Sequence, residues 1–292
     1  MAASKKELDR YARSCTITPN STRSASMPGD LSLSLPDERR QIIIDRLAWR
    51  GRVLAGDLAR EFGTSEDTIR RDLRDMAAAG KCRRVYGGAL PLSPASGALA
   101  ARSAEAPERK AALGRAAAAL ARPGQVLFFD AGSTNAAIAR ALPAGLGLTV
   151  ATNAPDIASD LVGRPGVELI VIGGRVDPRS GAALGARALR DALEIRVDLA
   201  FLGACAVDAE AGVAVFEAEE AEFKRLVGER AKAVAAAVTT DKLGTAAPFA
   251  VAPASLLTHL VVEANAPEQA LAPLRRCGIH VLRAQRAGEI AR

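Results

Sequence analysis

The chain has 292 residues, 49% hydrophobic and 25% charged, which is enough to bury a core and more than one small module needs. No segment offers the roughly 20 continuous apolar residues of a membrane span. The least charged stretch, 142–158, is interrupted by Pro143, Gly145, Gly147, Pro155 and Asp156, so an integral membrane protein is excluded. The four cysteines (Cys15, Cys82, Cys205, Cys277) lack CxxC or Cys/His spacing, which speaks against a disulfide framework or a zinc site and for a reducing, cytoplasmic compartment. Positive charge is unevenly placed: residues 1–102 carry 18 Lys+Arg against 12 Asp+Glu, and residues 103–292 carry 21 of each. A basic segment joined to a neutral one suggests a polyanion-binding module with a second function attached; a solvated basic surface is the plain alternative.

Residues 1–36 are rich in Ser, Thr, Arg and Pro without an apolar period. Lys5 and Lys6 are not followed by the apolar run of a signal peptide, so the segment reads as a disordered extension or as the product of an upstream start codon that is not used. From residue 37 short helices alternate with tight turns. Asp37 is the expected N-cap of a helix carrying Ile43 and Leu47. Val53 opens a second helix, with Leu54, Leu58 and Phe62 one turn apart and Ala55 and Ala59 beside them. Gly63-Thr64 breaks it. Ser65 caps a third helix, with Glu66 and Asp67 in the first turn, where the helix dipole favours acids. Ile69, Leu73 and Met76 form its apolar stripe; Asp67, Arg71 and Arg74 point the other way, with Thr68 and Arg70 on the flanks. Gly80 ends this helix, and Lys81–Gly88 reads as a short β-hairpin with a glycine tip.

Two short helices joined by a tight turn, followed by a basic hairpin, describe a winged helix-turn-helix. An α-helix fits the DNA major groove, where arginine pairs bidentately with guanine, while wing arginines suit phosphate or minor-groove contact. The candidate DNA contacts are Ser65, Asp67, Thr68, Arg70, Arg71 and Arg74 on the helix and Arg83, Arg84, Gly87 and Gly88 on the wing. A helical bundle with a solvated charged face is the competing reading, disfavoured by Gly63-Thr64-Ser65, the Arg70-Arg71 pair and the hairpin acting together. Residues 37–90 closely resemble the DNA-binding domain of DeoR-type bacterial transcriptional regulators. The family string S-x-x-T-I-R-R-D-L is here Ser65, Thr68, Ile69, Arg70, Arg71, Asp72 and Leu73, and R-R-x-x-G-G is Arg83, Arg84, Gly87 and Gly88. Cys82 replaces the family's usual apolar residue and is read as a packed thiol.

Residues 91–106, rich in Pro, Ser, Gly and Ala, read as a linker. Beyond it, residues 107–285 alternate apolar runs with helical stretches, and 286–292 form a tail. Gln125–Asp130 has the near-continuous apolarity of a strand buried on both faces, followed by Ala131-Gly132-Ser133-Thr134 and a helix from Asn135 to Leu142. A strand, a Gly/Ser/Thr turn and a helix N-terminus make a ready phosphate site, although Gly-Ser-Thr also makes ordinary turns. Leu148–Thr152, Val167–Ile172 and Asp198–Leu202 repeat the pattern, each ending in small or polar residues. Together they imply a parallel α/β sheet with a site at the strand carboxyl ends. A helix from Glu219 to about Ala233 and a strand Ala233–Val238 lead to Thr239-Thr240-Asp241-Lys242. Here a lysine just after a strand could reach a phosphate or stand as a surface residue. His259 and His280 lie in apolar contexts and read as strand residues, and no metal site or cofactor is expected.

This half resembles the effector-sensing domain of the same family, extending the likeness to residues 37–285. The resemblance implies a fold similar to ribose-5-phosphate isomerases and a phosphorylated-sugar effector. Asp130, Gly132, Ser133 and Thr134 would form the phosphate loop, with Thr152, Asn153, Gly173 and Gly174 on neighbouring loops. Asp198 and Gly203 match D-x-x-F-x-G, Glu220 and Lys224 match E-A-x-x-K, and Lys242 matches the family's late lysine. Many members read D-x-S-K-x-G there; this chain has Asp241 at the Ser position, a carboxylate that would repel a second phosphate. The resemblance thus implies a DNA-binding regulator, a repressor of a sugar or polyol catabolic operon. It would bind double-stranded operator DNA as a homo-oligomer (dimer or tetramer) and respond to a small phosphorylated metabolite. The alternative is a sugar-phosphate isomerase with an accessory DNA-binding head, using Asp130, Glu220 or Asp241 as its base.

Overall fold

The structure, a computed structural model, describes residues 35–285, and the expected extension (apart from Leu35 and Pro36) and the tail 286–292 lie outside the described residues. Buried apolar side chains fall into two separate clusters. One is centred on Ile43, Leu58, Phe62, Ile69, Leu73 and Met76, and the other runs from Ala95 to Ala284. Two cores make two folding units, a head and an α/β body.

In the head, α1 (Pro36–Arg50) opens on proline, whose fixed φ and missing N–H suit the first helical position. Asp37 is therefore inside the first turn rather than the N-cap. Leu35 takes the cap, and its N–H donates to Glu38 Oε2 at 3.3 Å. Val53 and Leu54 are not helical as expected but form β1 (Val53–Leu54), because their backbone pairs with the wing; the second helix, α2 (Ala55–Glu61), starts only after them. Gly63, at φ 58°, makes the turn into α3 (Glu66–Ala78). Ser65 caps α3 as expected, its Oγ accepting from the Thr68 N–H at 3.2 Å. The wing strands β2 (Arg83–Val85) and β3 (Gly88–Leu90) complete an antiparallel sheet in the order β1-β3-β2. Cys82 is buried as expected, and burial pushes its thiol pKa up.

The 91–106 segment connects the two units while docked on the body. The Ser93 N–H donates to the Ala246 carbonyl at 2.9 Å and its hydroxyl to the Cys205 carbonyl at 2.5 Å. Within the segment lies α4 (Leu99–Ala104), which precedes α5 (Pro107–Ala118). Lys110, buried on α5, donates to the carbonyls of Arg102 and Glu105 and so ties down the end of α4.

The body then runs β4 (Val126–Phe129), α6 (Ser133–Ala141), β5 (Leu148–Thr152), α7 (Pro155–Leu161) and β6 (Val167–Val171). It continues with the hairpin β7 (Arg175–Val176) and β8 (Ala183–Leu184), α8 (Ala186–Leu193) and β9 (Leu199–Phe201). Next come β10 (Ala206–Asp208), β11 (Gly212–Val215), α9 (Ala218–Arg230), β12 (Ala233–Val238) and β13 (Phe249–Ala252). The chain closes with β14 (His259–Val262), α10 (Glu268–Arg276) and β15 (His280–Arg283). Seven strands form one parallel sheet in the order β15-β14-β12-β9-β4-β5-β6, as the near-continuous apolar runs imply. His259 and His280 are strand residues, as read. The small antiparallel sheet β10-β11-β13 has no counterpart in the sequence reading. It lies toward the head, where Asp208 Oδ1 accepts from Arg52 at 2.9 Å.

The chain leaves β4 toward β5 on one side and resumes at β9 on the other. The order of strands therefore reverses between β4 and β9, and a crevice opens at their carboxyl ends. Among the described residues no helix is long and apolar enough to cross a membrane.

Candidate functional site

On α3 the periodicity separates a packing face from a reading face. Ile69, Leu73 and Met76 are buried, while Asp67, Arg70, Arg71 and Arg74 are exposed. Asp72 is also buried and ties α3 to α1. It accepts from Arg39 Nε at 2.6 Å and Arg40 Nε at 3.1 Å, and Arg40 reaches Asp75 at 2.6 Å. The exposed arginines differ: Arg70 lies along the helix against Glu66 (2.7 Å) and Asp67 (3.4 Å), whereas Arg71 and Arg74 make no ion pair among the described residues. Two unpaired guanidinium groups on one exposed helix face suit base edges and phosphates. Arg83 and Arg84 are exposed on the wing, beside Tyr86 at its tip, which is 91% exposed.

Gly88, expected to touch DNA, is buried; a Cβ there would sit 1.8 Å from the Val53 carbonyl oxygen. Its role is to let β1 and β3 meet. Gly88→Ala is therefore expected to destabilise the head by about 1–3 kcal/mol through overpacking, lowering its melting temperature. Gly87→Ala faces open space and should be felt only through its φ of +72°.

The second site is the crevice at the β4/β9 reversal. Ala131–Asn135 come from the end of β4 and the start of α6, Gly203–Cys205 from the end of β9, and Glu220, Lys242 and Arg102 close the sides. Helix α6 begins at Ser133, two residues before the expected start. Its first N–H groups and the Ser133 and Thr134 hydroxyls thus converge on the crevice. Asn135 holds the reversal in shape by donating to the carbonyls of Asp130 (2.8 Å) and Phe201 (2.9 Å), one on each side. Lys242 spends one proton on the Ala204 carbonyl at 2.9 Å, leaving two for a ligand, and burial lowers its pKa. Arg102 is held by one Nε bond to the Gly97 carbonyl, 2.9 Å. A helix N-terminus with two cations and two hydroxyls is complementary to a small anion.

Beneath the crevice lies a buried ion triad. Lys224, fully buried, is bonded to Asp130 and lies 3.0 Å from Glu220. Asp130 Oδ2 also accepts from the Gly203 N–H at 3.0 Å. Burial pushes the Asp130 carboxyl up, against the pull of Lys224. Burial also opposes charge on Lys224, but its two carboxylate partners outweigh this and raise its pKa.

Comparison with known proteins agrees with both halves. The family model for the DeoR-like helix-turn-helix domain matches residues 39–94, and that for the DeoR C-terminal sensor domain matches residues 105–264. The chain belongs to the DeoR family of transcriptional regulators. It is similar to the glycerol-3-phosphate regulon repressor of Escherichia coli K12, 29% identical over 79% of this chain and 92% of that protein. It also resembles the transcriptional regulator GlpR of Haloferax volcanii (32% identical over 72% and 83%). The transcriptional repressor GlcR of Bacillus subtilis is 28% identical over 84% and 95%. These relatives are named as regulators and repressors, and operator DNA is the macromolecular partner that membership implies.

Within this DeoR-family fold the expected site residues do not all meet. Gly132, Ser133, Thr134, Gly203, Glu220 and Lys242 line the crevice, whereas Asp130 and Lys224 form its buried floor. Thr152 and Asn153 are fully buried at the same sheet edge and serve the backbone. Thr152 Oγ1 donates to the Phe129 carbonyl at 2.6 Å, and Asn153 Nδ2 to the Ala183 carbonyl at 3.2 Å. Gly173 and Gly174 follow β6, beyond β5, and do not line the crevice. Asp198 is at the wrong end of the sheet. It precedes β9, accepts from the Val126 N–H at 2.8 Å and from Lys232 at 2.7 Å, and joins strand starts rather than strand ends. Arg102, Asn135 and Cys205 belong to the crevice and were not anticipated.

The isomerase alternative is not supported by the comparisons, whose relatives are named as regulators and repressors, and each carboxylate it would use is held in an ion pair. Asp130 and Glu220 are tied to Lys224, and Asp241 pairs with Arg109 at 2.9 Å. That pairing also offsets the repulsion expected from Asp241. Arg109 and the Thr240 N–H hold Glu263 well below its ordinary 4.5, down to about 2. A depressed carboxyl stabilises the fold above its unfolded pKa, and the contribution is lost as pH falls through the folded value. Urea midpoints should therefore fall between about pH 4.5 and 2 more steeply in the parent than in Glu263→Gln. The effect is moderated because Arg109 is about half exposed.

Proposed function

We propose that this regulator acts in the cytoplasm as a repressor of a sugar or polyol catabolic operon, and that a small phosphorylated metabolite bound in the β4/β9 crevice releases it. The observation that carries the reading is the convergence of Lys242, Arg102 and the α6 N-terminus on one crevice in the same chain as a solvent-facing, arginine-bearing α3. The name of one relative, a glycerol-3-phosphate regulon repressor, supports a phosphorylated polyol or sugar as ligand class. A symmetric dimer or higher assembly would read two half-sites about one helical turn apart, or a multiple of that. The effector would favour a conformation in which the two heads are wrongly spaced. No cofactor beyond this effector enters the scheme.

The test is thermal-shift screening of the full chain against sugar and polyol phosphates. A ligand at about 100 times its dissociation constant stabilises by roughly 2.7 kcal/mol. Ser133→Asp puts a carboxylate where the phosphate would sit. Acids are tolerated in a first helical turn, so this variant should fold, bind DNA and lose the shift. A variant that still responds would refute the crevice as the binding site.

A further inference from the structure

The head does not hang freely from the body. Arg52, in the turn between α1 and β1, reaches Asp208 at 2.9 Å and also pairs with Glu210, both in the β10–β11 hairpin. Asp208 is fixed in turn, because its Oδ1 accepts the N–H groups of Glu210 (3.0 Å) and Ala211 (2.9 Å). Beside this clasp the wing faces the small sheet across a crevice lined by Arg84 and Val85 on one side and Ala214, Ala246 and Ala250 on the other. The sensor side of this crevice is lined by alanines, and one of them, Ala246, is bridged to Leu92 just after the wing. Arg71 and Arg74 on α3 remain exposed, so the seat leaves the recognition helix uncovered, while the wing arginines Arg83 and Arg84 border it.

The seat is also continuous with the anion crevice. Gly203–Cys205 lead directly into β10, and Lys242 is followed by Leu243, bridged to Val207, and then by Ala246. We propose that the Arg52–Asp208–Glu210 clasp and this alanine-lined seat are the docking surface by which the sensor holds its own DNA-binding head and sets the direction of α3. The operator arm of the following test rests on the function proposed above; the fluorescence arm does not.

Trp49, the single tryptophan of the chain, lies on α1 three residues before Arg52 and reports head motion without labelling. Time-resolved anisotropy of the full-length parent should show the head tumbling with the body. Arg52→Glu faces two carboxylates with a third and should add a faster nanosecond component. Arg52→Glu combined with Glu210→Arg restores opposite charges, and that component should disappear. A fast head component already present in the parent, or an Arg52→Glu decay like that of the parent, would overturn the proposal. On DNA, Arg52→Glu should bind a two-half-site operator about fivefold or more weakly, bind a single half-site like the parent, and recover in the swapped pair. Equal loss on both duplexes without recovery would show damage to the head itself and count against the seat. A parent that ignores operator DNA would sink the operon reading while Trp49 still judged the seat.

Discussion

Arg71→Ala is expected to abolish specific retardation of operator DNA while leaving the fold intact. Arg71 is exposed on α3 and makes no ion pair among the described residues, so truncation breaks no ion pair there. A bidentate arginine–guanine contact is worth about 1–3 kcal/mol and carries specificity at its position. The variant should bind the operator and a scrambled duplex alike. Arg70→Ala should cost less, because Glu66 and Asp67 already compete for that guanidinium. Arg83→Ala and Arg84→Ala should weaken all duplexes uniformly and reduce the salt slope by about one each. Fluorescence anisotropy titrations at several salt concentrations separate the three outcomes. Wild-type affinity in Arg71→Ala would mean that another face reads DNA.

Lys224→Met should be the most destabilising single change in the body. It leaves Asp130 and Glu220 buried side by side without their cation, and breaking one partner out of a buried ion set costs about 3–5 kcal/mol. Against a typical total of 5–15 kcal/mol, that is a large share of the fold's stability. Adding Asp130→Asn and Glu220→Gln to Lys224→Met should recover much of it, because the uncompensated charges are gone. Urea titration reads both variants. A loss under 1 kcal/mol in Lys224→Met would show that water reaches the triad.

The elements were largely legible because their physics is local. Continuous apolar runs gave β4, β5, β9 and β12, and the Ser65 cap with the Ile69–Leu73–Met76 stripe gave α3. Errors arose where a distant partner decides. Val53 and Leu54 have helical spacing, yet β3 recruits them as a strand, and nothing within ten residues announces it. Gly88 sits in a motif exposed at its tip but buried at its base, and only the Val53 carbonyl makes the difference.

The anion site was half legible for the same reason. Gly132–Thr134 follow a strand, which marks the carboxyl edge, and Asn135 directly after them could have been added on that ground. Asp198 lies away from the crevice because a motif fixes spacing, not which end of the strand each residue occupies. Arg102 gave no local signal in a Pro- and Ala-rich connector. It joins the site only because Lys110 and the body hold α4 down.

The central claim is that one chain reads DNA at α3 and is told when to let go by an anion at the α6 N-terminus. The most direct test titrates operator DNA with the parent and with Ser133→Asp across a panel of sugar and polyol phosphates. One phosphate should weaken the parent's operator affinity by about 5–150-fold and leave Ser133→Asp unmoved. An operator affinity indifferent to every phosphate, or the same response from both proteins, would contradict it.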